Sequence, residues 1–139
     1  MTLDKENRDN IVKHRLQKAH NTFAEVKGIV NMKYWHSAAN RLYYACYYAV
    51  SALLINNGYE THTHGGVFRL LGKHFVVTGI ISNEHNKLYR KLFELRQKGD
   101  YDDWITIEAE DVLPRLQPAQ KFIEEIEKLI SQNSTTCEP

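Results

Sequence analysis

The chain has 139 residues, 42% apolar and 25% charged, which is one globular domain's length and an ordinary soluble composition. Seven Gly and three Pro exclude collagen-like and Pro-rich disordered classes, and two Cys exclude a disulfide framework. Net charge is +1, but residues 1–98 carry 15 Lys+Arg against 7 Asp+Glu, while residues 99–139 carry 3 against 10. Such asymmetry marks either an anion-binding face or the two solvated sides of a bundle.

The predicted elements are all helical. The N-terminus is polar and no signal peptide. From Asn10 to Val30, the apolar residues Ile11, Val12, Leu16, Ala19, Phe23, Val26 and Val30 recur at steps of three and four. Asp9 or Asn10 is the expected cap. The second helix, about Tyr34 to Asn56, carries Ala38, Ala39, Leu42, Ala45, Cys46, Ala49, Ala52 and Leu53 on one face. Tyr43, Tyr44, Tyr47 and Tyr48 extend its apolar surface round most of the circumference. Such a helix is central or covered by a second chain. Its nearly apolar stretch, Leu42 to Ile55, is too short to span a bilayer.

Asn56-Asn57-Gly58 reads as the stop of that helix. A loop, residues 59–66, precedes a short helix with Val67, Leu70, Leu71 and Phe75 that ends near Gly79. Ser82 or Asn83 caps the next, which carries Leu88, Leu92, Phe93 and Leu95 and stops at Gly99. Asp100 to Trp104 is expected as a polar-aromatic loop. The last helix, about Ile107 to Ile130, has Pro114 and Pro118 in its first turns. The expectation is an all-α, antiparallel five-helix bundle with two short members. Residues 1–131 form one domain and 132–139 a polar tail.

Common chemical motifs are missing: no phosphate-binding Gly-rich loop and no HExxH. His62 and His64 offer two imidazoles without a carboxylate or Cys to complete a metal site, so no metal and no cofactor is expected. The alternative is that one of them anchors the next helix. Ser37 and Ser51 lack a nucleophile signature. Cys46, among Ala and Tyr, reads as a small core residue. Arg41 and Arg96 are more informative. A guanidinium beside a core stripe needs a partner, and two such forks clamp a phosphate. The competing reading pairs Arg41 or Arg96 with Asp100, Asp102 or Asp103.

Four blocks carry a resemblance. Asn40-Arg41-Leu42-Tyr43-Tyr44-Ala45 is similar to the NRxYYA helix of HEPN (higher eukaryotes and prokaryotes nucleotide-binding) domains. Residues 63–67 (THGGV), 72–76 (GKHFV) and 93–101 (FELRQKGDY) resemble the blocks that follow it, in order, across roughly residues 8 to 130. The resemblance implies a helical bundle, commonly a homodimer, often beside a nucleotidyltransferase in toxin–antitoxin pairs. Many members are metal-independent RNases with an Arg and a His separated by four to six residues. There the His serves as acid/base and the Arg holds the phosphate.

Here Arg96 matches the Arg, but Tyr101, Asp102 and Asp103 stand where the His belongs. Arg8/His14, Arg15/His20 and Arg69/His74 have the spacing outside the block and read as coincidence. The expected function is therefore binding of RNA or nucleotide phosphate by a cytoplasmic homodimer, paired through the second helix. A nucleotidyltransferase partner accompanies it, and no membrane is involved. The site expected is Arg41, His64 and Arg96 on phosphate, Tyr44 and Tyr101 stacking or hydrogen-bonding, and Asp100 orienting an Arg. The alternatives are an endoribonuclease toxin that uses Arg96 with His64 or Tyr101, and a helical interaction module.

Overall fold

A computed structural model describes residues 4–136, with side chains described through residue 132. The chain enters helix α1 (Lys5–Asn31) through Asp4, whose carboxylate accepts from the Asn7 backbone N–H at 2.8 Å. The cap therefore lies five or six residues before the expected Asp9 or Asn10. The apolar stripe begins only at Ile11, but a capped polar turn precedes it and needs no core contact to be helical. Val12, Ala19, Phe23 and Val26 bury its inner face.

Three residues lead to α2 (Trp35–Asn56). It is the hub of the fold, packed on α1 and on the helices that follow. Ala38, Ala39, Ala45, Ala49 and Ala52 are buried, and these small side chains let neighbouring helices approach closely. Burial of Cys46 pushes its thiol pKa far up, as expected for an inert core residue. The helix stops where the sequence indicates. Asn57 donates its side-chain amide to the Leu53 carbonyl at 2.9 Å, and Gly58 takes φ +83°. Twelve α2 residues are buried by this chain alone. Its apolar circumference is thus explained by a central position.

Thr63 caps α3 (His64–Leu71) by accepting from the Gly66 N–H at 2.9 Å. A π turn, Gly72–Val76, carries on from it, and Gly79 reverses the chain at φ +83°. Ser82, one of the two expected caps, accepts from the His85 N–H and starts α4 (Asn83–Tyr101). This helix runs through Gly99 to Tyr101, so Asp100 and Tyr101 are helical where a loop was expected. A glycine within a helix costs only about 1 kcal/mol. Here it also lies against the His36 ring, which a Cβ would approach to 3.3 Å.

Short α5 (Ala109–Val112), a 3-10 turn at Leu113–Arg115 and α6 (Leu116–Thr136) follow as one interrupted segment. Pro114 sits in the 3-10 turn and Pro118 in the first turn of α6, where their missing N–H groups are tolerated. The all-α five-helix expectation holds, with the fifth helix broken at its entry. The core joins Phe23 and Val26 from α1 to Leu42 and Tyr43 of α2, Tyr89 of α4 and Phe122 and Ile126 of α6. Fully burying one such side chain contributes roughly 1.5–3 kcal/mol. No described helix is long and apolar enough to cross a membrane.

Candidate phosphate-binding site

The polar residues of α2 and α4 meet at one end of this core, beside the start of α3. Arg41 and Arg96 gather on a single ring: their guanidinium carbons lie 4.8 Å and 5.5 Å from the Tyr44 ring centre. Arg96 is also 5.7 Å from the Tyr43 ring. Its side chain is only 12% exposed. Its Nε is buried and makes no hydrogen bond, with Asp100 Oδ2 3.6 Å away. Burial works against the Arg96 charge, but Tyr44, Tyr43 and Tyr101 outweigh it, so its pKa is raised and the cation is secure.

Asp100 lies one turn beyond Arg96 on α4. Because the helix continues through Gly99, this i, i+4 placement brings the carboxylate back toward the guanidinium. Asn40 donates weakly to both its oxygens at 3.4 Å, and His36 Nε2 stands 3.5 Å from Oδ1. The residue expected to orient an Arg is thus tied to α2 as well as to Arg96. Among the described residues Arg41 has no such carboxylate. Its Nη2 donates to the Asn40 side-chain oxygen at 3.2 Å. Of the pairings with the acidic residues considered above, only Arg96 with Asp100 forms among the described residues.

His64, the first residue of α3, leans into the tyrosines of α2. Its Nδ1 is 2.8 Å from the Tyr43 hydroxyl, and its ring packs against Tyr47 at 4.5 Å and Tyr44 at 5.6 Å. Burial and the Arg96 charge both lower its pKa, which favours neutral imidazole at pH 7. Tyr43 itself is fully buried, and burial drives its phenol pKa far up, so it remains a neutral hydroxyl. The pair fixes the imidazole orientation. Tyr101 lies at the rim, 75% exposed at the end of α4, near enough to favour the Arg96 charge.

Five of the six expected site residues, Arg41, Tyr44, His64, Arg96 and Asp100, are therefore neighbours, with Tyr101 at their edge. The loop expected over residues 59–66 ends at Thr63, because that residue caps α3, and the two histidines part company: His64 binds Tyr43 from the helix while exposed His62 faces a separate cavity. Among the described residues no group of three or more His, Cys, Asp or Glu is placed to hold a metal. His74, from the most suggestive of the stray Arg/His spacings, stacks on Tyr59 at 4.2 Å. Sequence reasoning missed His36, Tyr43 and Tyr47 as site residues. Tyr43 was hidden because a core tyrosine and a hydrogen-bonding one look alike until a partner is placed beside the hydroxyl.

The HEPN domain model matches residues 12–129. The chain belongs to the HEPN family. A UPF0332 protein of Thermotoga maritima is 36% identical over 88% of this chain and 93% of its own. A candidate toxin of Methanocaldococcus jannaschii, MJ0142, is 29% identical over 85% of this chain and 81% of its own. The crystal structure of TT1696 from Thermus thermophilus shares the fold, with a TM-score of 0.70 over 84% of this chain and 96% of that one, at 15% identity. The HEPN assignment embraces every residue of the cluster, from His36 to Tyr101.

Proposed function

We propose that this HEPN protein binds the phosphate of RNA or of a nucleotide at the Arg41–Arg96–His64 cluster, and that it acts in a toxin-like setting beside a nucleotidyltransferase. The observation that carries the reading is the meeting of two guanidiniums on Tyr44, one with a buried Nε that makes no hydrogen bond. Arg41 has no carboxylate partner among the described residues, and Asp100 reaches Arg96 only at 3.6 Å on its Nε side, so the paired guanidiniums keep Nη donors for an anionic oxygen. Tyr101, exposed at the rim, offers a ring to a flanking base. The candidate-toxin name of an M. jannaschii relative supports the setting. A homodimer is part of the reading and rests on the family resemblance. The face that α2 leaves for a second copy is the half-buried edge of Tyr44 and Tyr48.

A second reading, a metal-independent endoribonuclease, is favoured by His64. A neutral imidazole oriented by Tyr43 beside Arg96 is equipped to take a proton from a ribose hydroxyl. The family's His is absent from the α4 motif, and His64 would supply its function from α3.

One experiment separates them. A mixed RNA pool is incubated without added metal with wild type, Arg96→Gln and His64→Gln, and binding of a fluorescent single-stranded RNA and of a fluorescent mononucleotide is measured alongside. Binding weakened in Arg96→Gln, with no cleavage by any protein, supports the binding reading. Cleavage by wild type alone establishes the nuclease. RNA and mononucleotide binding that is absent from wild type, or equal in folded Arg96→Gln, rejects the phosphate site.

A further inference from the structure

A second constellation lies on the other side of Tyr47, and the phosphate cluster does not use it. A cavity of about 350 Å³ opens between α1, α2 and the loop of residues 58–62. Its cations are Arg8 and Arg15 of α1, and His62 lies across from them on the loop. Its apolar walls are Leu54 and Ile55 of α2 and Val67 of α3, with Tyr47 and Tyr59 completing them.

Arg15 is the informative residue. It is half-buried, and its Nη1 donates to Ser51 Oγ at 2.8 Å. Ser51 is one of two buried polar residues among those described. Among the described residues no carboxylate stands within ion-pair distance of Arg15. The bond to Ser51 holds the guanidinium in place but leaves its charge uncompensated. A partly desolvated cation of this kind is costly unless an anion joins it. Glu60, also lining the cavity, sits exposed on the loop and offsets part of the local positive charge.

We propose that this cavity is a binding site for a small anion with an apolar or aromatic body. The charged head sits on Arg15 and Arg8, and the body lies on Leu54, Ile55 and Val67. The volume suits one ligand, and apolar walls facing a cluster of polar and charged groups match a ligand with a charged head and an apolar body. The head is a phosphate monoester or a carboxylate, since both accept the planar fork of Arg. The site is independent of the phosphate cluster, although the two share Tyr47 as a wall. A ligand seated here presses on the ring that also packs against His64.

The test is calorimetric titration of the full chain with phenyl phosphate, benzoate and inorganic phosphate. Phenyl phosphate or benzoate is expected to bind wild type about tenfold or more tightly than inorganic phosphate, because only they fill the apolar walls. Whichever of the two binds tighter names the head group. Arg15→Met is expected to weaken that ligand at least tenfold, and Arg96→Gln to leave it within twofold. Arg8→Gln and the cavity-filling Ile55→Trp serve where Arg15→Met fails to fold, and each is expected to weaken binding. Three results overturn the proposal: no binding of either aromatic anion at millimolar concentration, unchanged affinity in the folded cavity variants, or loss of affinity in Arg96→Gln alone. The last would assign the anion to the phosphate cluster instead.

Discussion

At the scale of single residues, His64 has the most consequential surroundings. Burial and the Arg96 charge lower its pKa in the folded state, while the unfolded chain restores the ordinary value near 6.5. The unfolded state therefore binds a proton more readily than the folded state does. Stability is full above about pH 6.5 and declines as the pH falls through the folded pKa, below which the loss levels off. Denaturant melts of wild type and His64→Gln between pH 7.5 and 4.5 check this. The wild-type curve should lose more stability over the acid half of that range, and the variant should lack that component. Parallel curves would mean that His64 titrates alike in both states.

Arg96 shows why residue type alone left the site ambiguous. Its two expected roles, pinning Asp100 and holding a phosphate, looked like competitors in the sequence. In the fold they are compatible. Asp100 reaches it only at 3.6 Å and is shared with Asn40 and His36, so the guanidinium keeps donor capacity. The i, i+4 pair is local, but the sharing of Asp100 depends on Asn40 and His36, which are distant in sequence, and no local pattern carries that information.

At the scale of elements, most helices were legible because their buried faces repeat at three and four residues. The α2 stop was legible because Asn57-Gly58 has few other uses. Of the ends that went astray, which include Thr136 for α6 where about Ile130 was expected, Lys5 for α1 and Tyr101 for α4 are polar turns outside the core stripe. Their helicity depends on a cap at one end and on packing against His36 at the other. The second matters to the site, because only a continuing helix brings Asp100 round to Arg96.

The α3 start offers a sharper test. Gly65 and Gly66 are adjacent and look interchangeable in sequence. A Cβ on Gly65 meets nothing, whereas one on Gly66 runs into the hydroxyls of Thr61 and Thr63. Thr63 is the cap that positions the turn carrying His64. Gly66→Ala is therefore expected to cost about 1–3 kcal/mol, combining overpacking with a lost cap. Gly65→Ala should be neutral or stabilise by up to about 1 kcal/mol, through better helix propensity. Chemical denaturation of the two variants decides it. Equal effects would contradict the described packing of Thr61 and Thr63 against the first turn of α3.

At the scale of the whole molecule, the skewed charge is a matter of where the helices lie. The basic excess of residues 1–98 belongs to α1 through most of α4, and the acidic excess of 99–139 to the end of α4, the connection after it, α5 and α6. Net charge of +1 gives no bulk attraction to nucleic acid, so binding must come from the few cations gathered at the site. Counting Arg41 and Arg96 as the phosphate contacts gives a shallow salt dependence. For single-stranded RNA the slope of log K against log salt should be about −1.4, from roughly −0.7 per contact. Arg96→Gln should bring it to about −0.7 and weaken binding at every salt concentration. Anisotropy titrations from 50 to 300 mM KCl measure both. A slope of several units in wild type, left unchanged by Arg96→Gln, would place the RNA along the basic surface of α1 and α4 rather than at the cluster on Tyr44.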